Sequence, residues 1–278
     1  MSALIRPQEL AVAIESRSQV VIADVRWTLN GPPGRSEFEA GHIPGAQWVD
    51  LECELSAPPG AGGRHPLPEV DVFQQAMRRI GVRNDVPVVV CDAATALAAS
   101  RLWWLLTDAG HPAVQVLDGG VAAWVAAGYA IETGPAQSPA VRDFVAHPGQ
   151  RARADAAAIA ASLRSANAPT LIDVRAADRY AGENETIDPV AGHIPGAINR
   201  PSMANLDADG QFLGPSAIAE RYLDVAEAPV LYCGSGITAA HTLLALEHAG
   251  INSARIYPGS WSDWIADPDR PVAQGATP

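Results

Sequence analysis

Cysteine is scarce in this chain. Its 278 residues contain three, at positions 53, 91 and 233, with no Cys-x-x-Cys pair and no paired-histidine motif. Thiols so few and so scattered fit neither a disulfide framework nor a metal site, and no metal or other cofactor is expected. Long apolar runs are missing as well. No stretch of about 18 consecutive apolar residues occurs, so no membrane span is expected. The segment Met1 to Leu10 has no apolar core and no cleavage-site pattern, which leads to the expectation of a cytoplasmic protein. Positive charge is in deficit: 19 Lys and Arg stand against 31 Asp and Glu, a formal net charge of −12. That balance argues against nucleic acid or an anionic membrane as a partner. Glycine and proline are plentiful, at 24 and 23 residues, and 48% of the chain is hydrophobic, enough for two domains with a core each.

The chain contains itself twice. Gly41-His-Ile-Pro-Gly-Ala46 recurs as Gly192-His-Ile-Pro-Gly-Ala197, and each copy follows an apolar run ending in Asp-Val-Arg, at 24–26 and 173–175. Downstream, Gly110 precedes Trp124 by the same interval that separates Gly250 from Trp264. Order-preserving matches of this length indicate a duplicated domain rather than a solenoid. In each half, short apolar runs alternate with helical patterns. Strands are expected over 19–24, 87–91 and 114–117, near Gln47, and again over 170–173, 229–232 and 253–257 and near Ile198. Helices are expected over 69–80, 96–109, 120–127, 155–165, 215–223, 238–249 and 260–266. Continuous apolar strands between helices predict an α/β fold of two domains, each a mostly parallel sheet flanked by helices. The expected division is 1–134 and 153–278, with the Pro- and Gly-bearing segment 135–152 as linker.

Residues Cys233-Gly-Ser-Gly-Ile-Thr238 follow a strand pattern and open a helical one. The unpaired N–H groups of a helix start favour negative charge, so a thiol there should ionise more readily than a free one. Gly234 and Gly236 allow the backbone to curl closely around the sulfur. Cys233 is therefore the candidate nucleophile. Cys53, in the acidic stretch Asp50-Leu-Glu-Cys-Glu54, and Cys91, followed by Asp92, are expected to be poor nucleophiles because nearby negative charge disfavours a thiolate.

The two Asp-Val-Arg…Gly-His-Ile-Pro-Gly-Ala units, the Cys233–Thr238 loop and the two late Gly…Trp segments together resemble the tandem rhodanese sulfurtransferases. The neutral loop is similar to that of the 3-mercaptopyruvate enzymes; the thiosulfate enzymes typically carry Arg and Lys where this chain has Gly234 and Ser235. The resemblance implies transfer of sulfur from mercaptopyruvate through a persulfide on Cys233 to a thiol acceptor such as thioredoxin or a small thiol. Thiosulfate as donor, and a persulfide carrier without turnover, are the alternatives. It also implies an inactive first half, in which Asp92 stands at the nucleophile position and Cys91 replaces a tyrosine. Arg179 resembles the family arginine that binds the substrate's anionic end, and Gly234, Ser235, Gly236, Ile237 and Thr238 would surround the reacting sulfur. His42 is a possible further participant, whereas its twin His193 reads as structural. Arg26 and Arg175 read as structural ion-pair partners of the strand-end aspartates. The related mercaptopyruvate enzymes carry a second arginine nine residues after the first; here that position is Asp188, and Arg200 is a guess for its replacement. Cysteine phosphatases share the fold but need an arginine where this chain has Ala239.

Overall fold

The computed structural model describes residues 2–16, 18–163, 165, 168–225 and 227–278. Among the described residues, nine strands form two sheets. In the first half these are β1 (Leu4–Ile5), β2 (Val21–Asp24), β3 (Gln47–Trp48), β4 (Val88–Cys91) and β5 (Val114–Leu117). In the second they are β6 (Leu171–Asp173), β7 (Ile198–Asn199), β8 (Val230–Tyr232) and β9 (Arg255–Ile256). The strand orders are β1-β5-β4-β2-β3 and β7-β6-β8-β9, and every pairing between them is parallel. The central strands β4 and β8 are buried throughout, as expected of strands covered on both faces. The expected α/β class with parallel sheets is what the chain adopts.

The helices expected from the 3.6-residue pattern lie at Val70–Arg79, Leu97–Asp108, Gly120–Ala126, Ala156–Ser162, Pro215–Arg221, Ile237–His248 and Ser260–Trp264. Of the stretch 155–165, Arg164 lies outside the described residues. The Asp155 side chain caps Ala156–Ser162 by accepting from the Ala158 N–H at 2.7 Å, replacing a missing intrahelical partner. Short elements escape the pattern: helices Pro7–Glu15, Gly34–Ala40, Leu51–Glu54 and Ala177–Ala181, and a 3₁₀ turn at Ser202–Asn205.

The chain divides into two compact units, whose boundaries are less simple than a cut at a linker. The first holds the chain up to Ala57, Pro68–Arg151 and Ala208–Phe212; the second holds Pro58–Leu67, Ala152–Asp207 and Leu213–Pro278. Residues 135–151 lie with the first unit. Phe144 is buried there, edge-on to Phe73, its carbonyl accepts from Arg78 Nε at 2.7 Å, and the Asp108 carboxylate accepts the N–H groups of Gly149 and Arg151. The composition that reads as a linker thus makes an extended strap, whose backbone donors find side-chain acceptors instead of a sheet.

Repeat-matched tryptophans close both cores. Trp124 donates from Nε1 to the Ala130 carbonyl at 2.8 Å, and Trp264 to that of Pro271 at 2.9 Å. Both indoles are buried, so each combines a large apolar area with a satisfied donor. Trp264→Ala should destabilise the second unit by about 3–5 kcal/mol, and Trp264→Phe by less. Urea unfolding followed by far-ultraviolet circular dichroism measures this; an unchanged midpoint in Trp264→Ala would refute it.

Candidate active site

Strand register settles how the two halves correspond. Asp24 pairs with Cys91 and Asp173 with Tyr232, so Cys91 is the counterpart of Tyr232 and Asp92 that of Cys233. The following bonds agree: Val121 N–H donates to the Asp92 carbonyl, and Trp261 N–H to that of Cys233. The helix after Asp92 is capped at Ala96, and the one after Cys233 at Gly236. The first-half loop is therefore one residue longer, which accounts for the gap between the repeats.

Cys233 leaves β8 at its carboxyl end and is 2% exposed. Its Sγ accepts from the Gly236 N–H at 3.1 Å. Gly236 sits at φ +83°, and a Cβ there would lie 2.1 Å from the Pro258 carbonyl oxygen, so glycine is required by both conformation and space. Behind the cysteine, the Ser260 hydroxyl accepts from the Cys233 N–H at 3.1 Å, donates to the Tyr257 carbonyl at 2.9 Å and lies 3.9 Å from Sγ. Ile237 and Thr238 form the first turn of the following helix, Ile237–His248.

Arginine and histidine side chains meet this loop, and an aspartate joins the arginines. Arg179, on the short helix Ala177–Ala181, puts Nη1 at 3.6 Å from where a Cβ of Gly234 would stand. Arg64 puts Nη2 at 3.0 Å from the same point. Asp188 joins them, bonding Arg64 Nη1 through one oxygen and Arg179 Nη2 through the other at 2.9 Å. His65 Nδ1 lies 2.7 Å from the Ser235 hydroxyl. Arg64 and His65 come from the Pro58–Leu67 segment that folds with the second unit.

An alternating charge network supports Arg179. Glu185 binds Arg179 through Nε at 3.0 Å and Nη2 at 2.9 Å, and also accepts the N–H groups of Ile187 and Asp188. Burial would push its carboxyl up, but the Asp188 and Ile187 amides and Arg179 outweigh this and hold it below the usual carboxylate range. Arg175 bonds Asp173 through Nε at 3.1 Å and Nη2 at 2.6 Å, bonds the Gly192 carbonyl at 2.6 Å, and lies over the Trp261 ring. Arg26 repeats that role more simply, with Nε at 2.9 Å from Asp24 and Nη2 on the Gly41 carbonyl. Both arginines hold the loop after a strand, as expected.

Several expectations shift. His42 belongs to the first unit, where it is buried, stacked on Phe38 at 3.9 Å, with Nδ1 at 2.9 Å from the Phe38 carbonyl. His193 repeats the arrangement on Tyr180 at 3.8 Å, with Nδ1 at 2.9 Å from its carbonyl. The shared geometry assigns both rings to holding the Gly-His-Ile-Pro turn, and the imidazole at Ser235 belongs to His65 instead. Arg200 is bound to Asp224 at 2.5 Å, so the second guanidinium at the loop is that of Arg64. The signal for Arg64 and His65 was Gly60-Ala-Gly-Gly-Arg-His-Pro66, a glycine-rich turn presenting two polar side chains. As for the other thiols, burial, with the Asp24 carboxylate adding to it, pushes Cys91 well up, and the Asp50 carboxylate, ahead of burial, raises Cys53.

The model of the Rhodanese-like domain matches residues 6–127 and again 156–267. A Mycobacterium tuberculosis protein whose curated name is that of a thiosulfate sulfurtransferase, SseB, is 44% identical over 281 residues, spanning 98% of this chain and 97% of its own. A Pseudomonas aeruginosa protein named as a 3-mercaptopyruvate sulfurtransferase is 43% identical over 281 residues, spanning 98% of each. Among solved structures, SseA from Escherichia coli, a 3-mercaptopyruvate enzyme, resembles this chain with a TM-score of 0.81 at 30% identity, over 94% of this chain and 100% of that one. Two matched halves and full-length relatives at these identities assign the chain to the rhodanese family, as a sulfurtransferase of two tandem rhodanese-like domains.

Proposed function

We propose that the protein takes a sulfur atom from 3-mercaptopyruvate onto Cys233 as a persulfide and passes it to a thiol, or to cyanide in an assay, releasing pyruvate. The observation that carries this reading is the loop itself. It holds a cysteine sulfur bonded by the Gly236 amide, a neutral Gly234-Ser235 pair, and two guanidinium groups above Gly234. In the first step the Cys233 thiolate attacks the donor sulfur. A sulfur–sulfur bond forms as the carbon–sulfur bond breaks, and the electron pair leaves with carbon as the enolate of pyruvate. The donor's thiol proton ends on that carbon. The Ser235 hydroxyl, 2.7 Å from His65, is suited to carry it. Arg179 offers its guanidinium to the donor carboxylate. An acceptor thiolate then attacks the outer sulfur and restores the Cys233 thiolate.

The inactive half supports the persulfide step. Asp92 occupies the cysteine's position, and its carboxylate accepts four amides, those of Ala94, Ala96, Ala98 and Ala99, at 3.0–3.3 Å. A carboxylate oxygen and the outer sulfur of a cysteine persulfide are each two bonds from Cβ. Gly236, Thr238 and Ala239 are the counterparts of Ala96, Ala98 and Ala99, and their amides would serve an anion of that reach.

The names of the relatives divide between the two donors, so the choice of mercaptopyruvate rests on Gly234 and Ser235 standing where the thiosulfate enzymes carry cations. We place the reaction in the cytoplasm, where three free thiols stay reduced, with thioredoxin or a small thiol as acceptor. Among the described residues no helix is long and apolar enough to cross a membrane.

The protein should release pyruvate from 3-mercaptopyruvate with a higher kcat/KM than it forms thiocyanate from thiosulfate and cyanide; the reverse order would assign thiosulfate. Cys233→Ser should be inactive with both donors, and intact mass spectrometry of the donor-treated wild type should show a gain of one sulfur atom that the variant lacks. A wild type that gains this sulfur but does not cycle with any acceptor would instead be a carrier. Gly236→Ala, by displacing the loop, should lower kcat/KM by at least about 100-fold, and a near-wild-type rate would contradict the cradle.

A further inference from the structure

We infer that Arg64 is the second guanidinium that receives the donor's carboxylate, and that Asp188 positions it. The inference rests on the mercaptopyruvate reading and deepens it by naming the specificity-determining pair.

Asp188 holds one edge of each arginine. It engages Nη1 of Arg64 and Nη2 of Arg179, and Glu185 takes Nε and Nη2 of Arg179. Among the described residues, Nη2 of Arg64 and Nη1 of Arg179 make no hydrogen bond, and these are the nitrogens nearest Gly234 from each side chain. The acids lie behind, with the Asp188 and Glu185 side chains 2% exposed, whereas those of Arg64 and Arg179 are 23% and 18% exposed. The face presented at the loop is therefore one of N–H donors, and the carboxylates that neutralise it sit on its far side. A planar anion with two oxygens fits between two guanidinium edges of this kind, as a 2-oxo acid's carboxylate would.

Arg64 is also delivered rigidly. Gly60 and Gly63 bond each other through both N–H groups, at 3.0 and 2.9 Å. Gly63 takes φ +98°, and a Cβ on it would lie 2.7 Å from Ser262 Oγ and 2.9 Å from the Gly259 carbonyl oxygen. The Arg64 N–H donates to Ser262 Oγ at 2.9 Å, and the next residue, His65, is bound to Ser235. A fixed backbone on both sides places the guanidinium without ordering it at the moment of binding. The competing role for Arg64 is purely structural, the neutralisation of the buried Asp188 carboxylate. The two roles respond differently when Asp188 loses its charge.

The test compares 3-mercaptopyruvate with mercaptoacetone, the same mercapto ketone without a carboxylate, with cyanide as acceptor and thiocyanate as readout. In Arg64→Met, KM for mercaptopyruvate should rise about 10- to 100-fold with kcat changed far less, and the preference in kcat/KM for mercaptopyruvate over mercaptoacetone should fall by a similar factor. The double variant Arg64→Met/Asp188→Asn should keep the raised KM. Recovery of KM in the double variant would make Arg64 a neutralising group only. Equal losses on both donors, or an unchanged KM in Arg64→Met, would also overturn the inference. A wild type that uses thiosulfate but not mercaptopyruvate removes the substrate reading and the inference together, whereas active wild type with an indifferent Arg64→Met removes the inference alone.

Discussion

The site depends on the left-handed turn at Gly236. That turn stops the strand, starts the helix and brings an amide onto Cys233 Sγ, all within three residues. Space forbids any larger residue, because the Pro258 carbonyl occupies the place of its side chain. The first half reaches the same helix start by a costlier route. There the cap is Ala96 at φ +59°, a conformation that an L residue with a Cβ adopts at some expense. The Asp92 carboxylate offsets it by binding four amides of the loop and helix start. Burial pushes that carboxyl up while the amides oppose the shift. One loop is thus stabilised by its own internal carboxylate, and the other gives the Gly236 amide to a sulfur.

Around the Cys233 loop, the buried carboxylates are paired with guanidinium groups. The chain has no lysine, so all 19 of its basic side chains are arginines. The planar fork matters here, because two arginines of the network each bond more than one group at once: Arg175 binds Asp173 and the Gly192 carbonyl, and Arg179 binds Glu185 and Asp188. An ammonium could match the charge but not these paired directions. Breaking one link would leave a buried carboxylate with less compensation, which makes the network a positioning device as much as a source of stability.

Much of this was legible in the sequence because the signals are local. Buried parallel strands read as apolar runs, and the strand–Cys–Gly–helix order placed Cys233 directly. The two late tryptophans announced themselves by equal spacing. What escaped notice was either short or distant. Leu4–Ile5 is too brief to show a period, and Gly34–Ala40 begins with residues that resemble a turn. Arg64 reaches Asp188 across 124 residues, and His65 reaches Ser235 across 170, so no window along the chain contains either pair. Asp188 looked like the loss of an arginine; its partner shows it to be the carboxylate that holds one. His42 was equivocal because the same imidazole could serve a turn or a reaction, and the ring stacking and Nδ1 contact it shares with His193 separate these.

The difference between the halves extends beyond Cys233 and Asp92. Each half gives a short segment to the other half's unit: Pro58–Leu67 joins the second, and Ala208–Phe212 joins the first. The segment at the Cys233 loop brings a guanidinium and an imidazole, fixed by glycine turns too tight for other residues. The segment near the Asp92 loop brings Gly210, on which a Cβ would meet Thr95, Gln211 beside Gly119, and Phe212, whose N–H donates to the Asp118 carboxylate at 2.9 Å. Ala208–Phe212 carries no basic residue, whereas Pro58–Leu67 brings Arg64 and His65. Substituting cysteine for Asp92 would therefore supply a thiol without the Arg64 guanidinium and the His65 imidazole, which stand at the second loop on a separate stretch of chain.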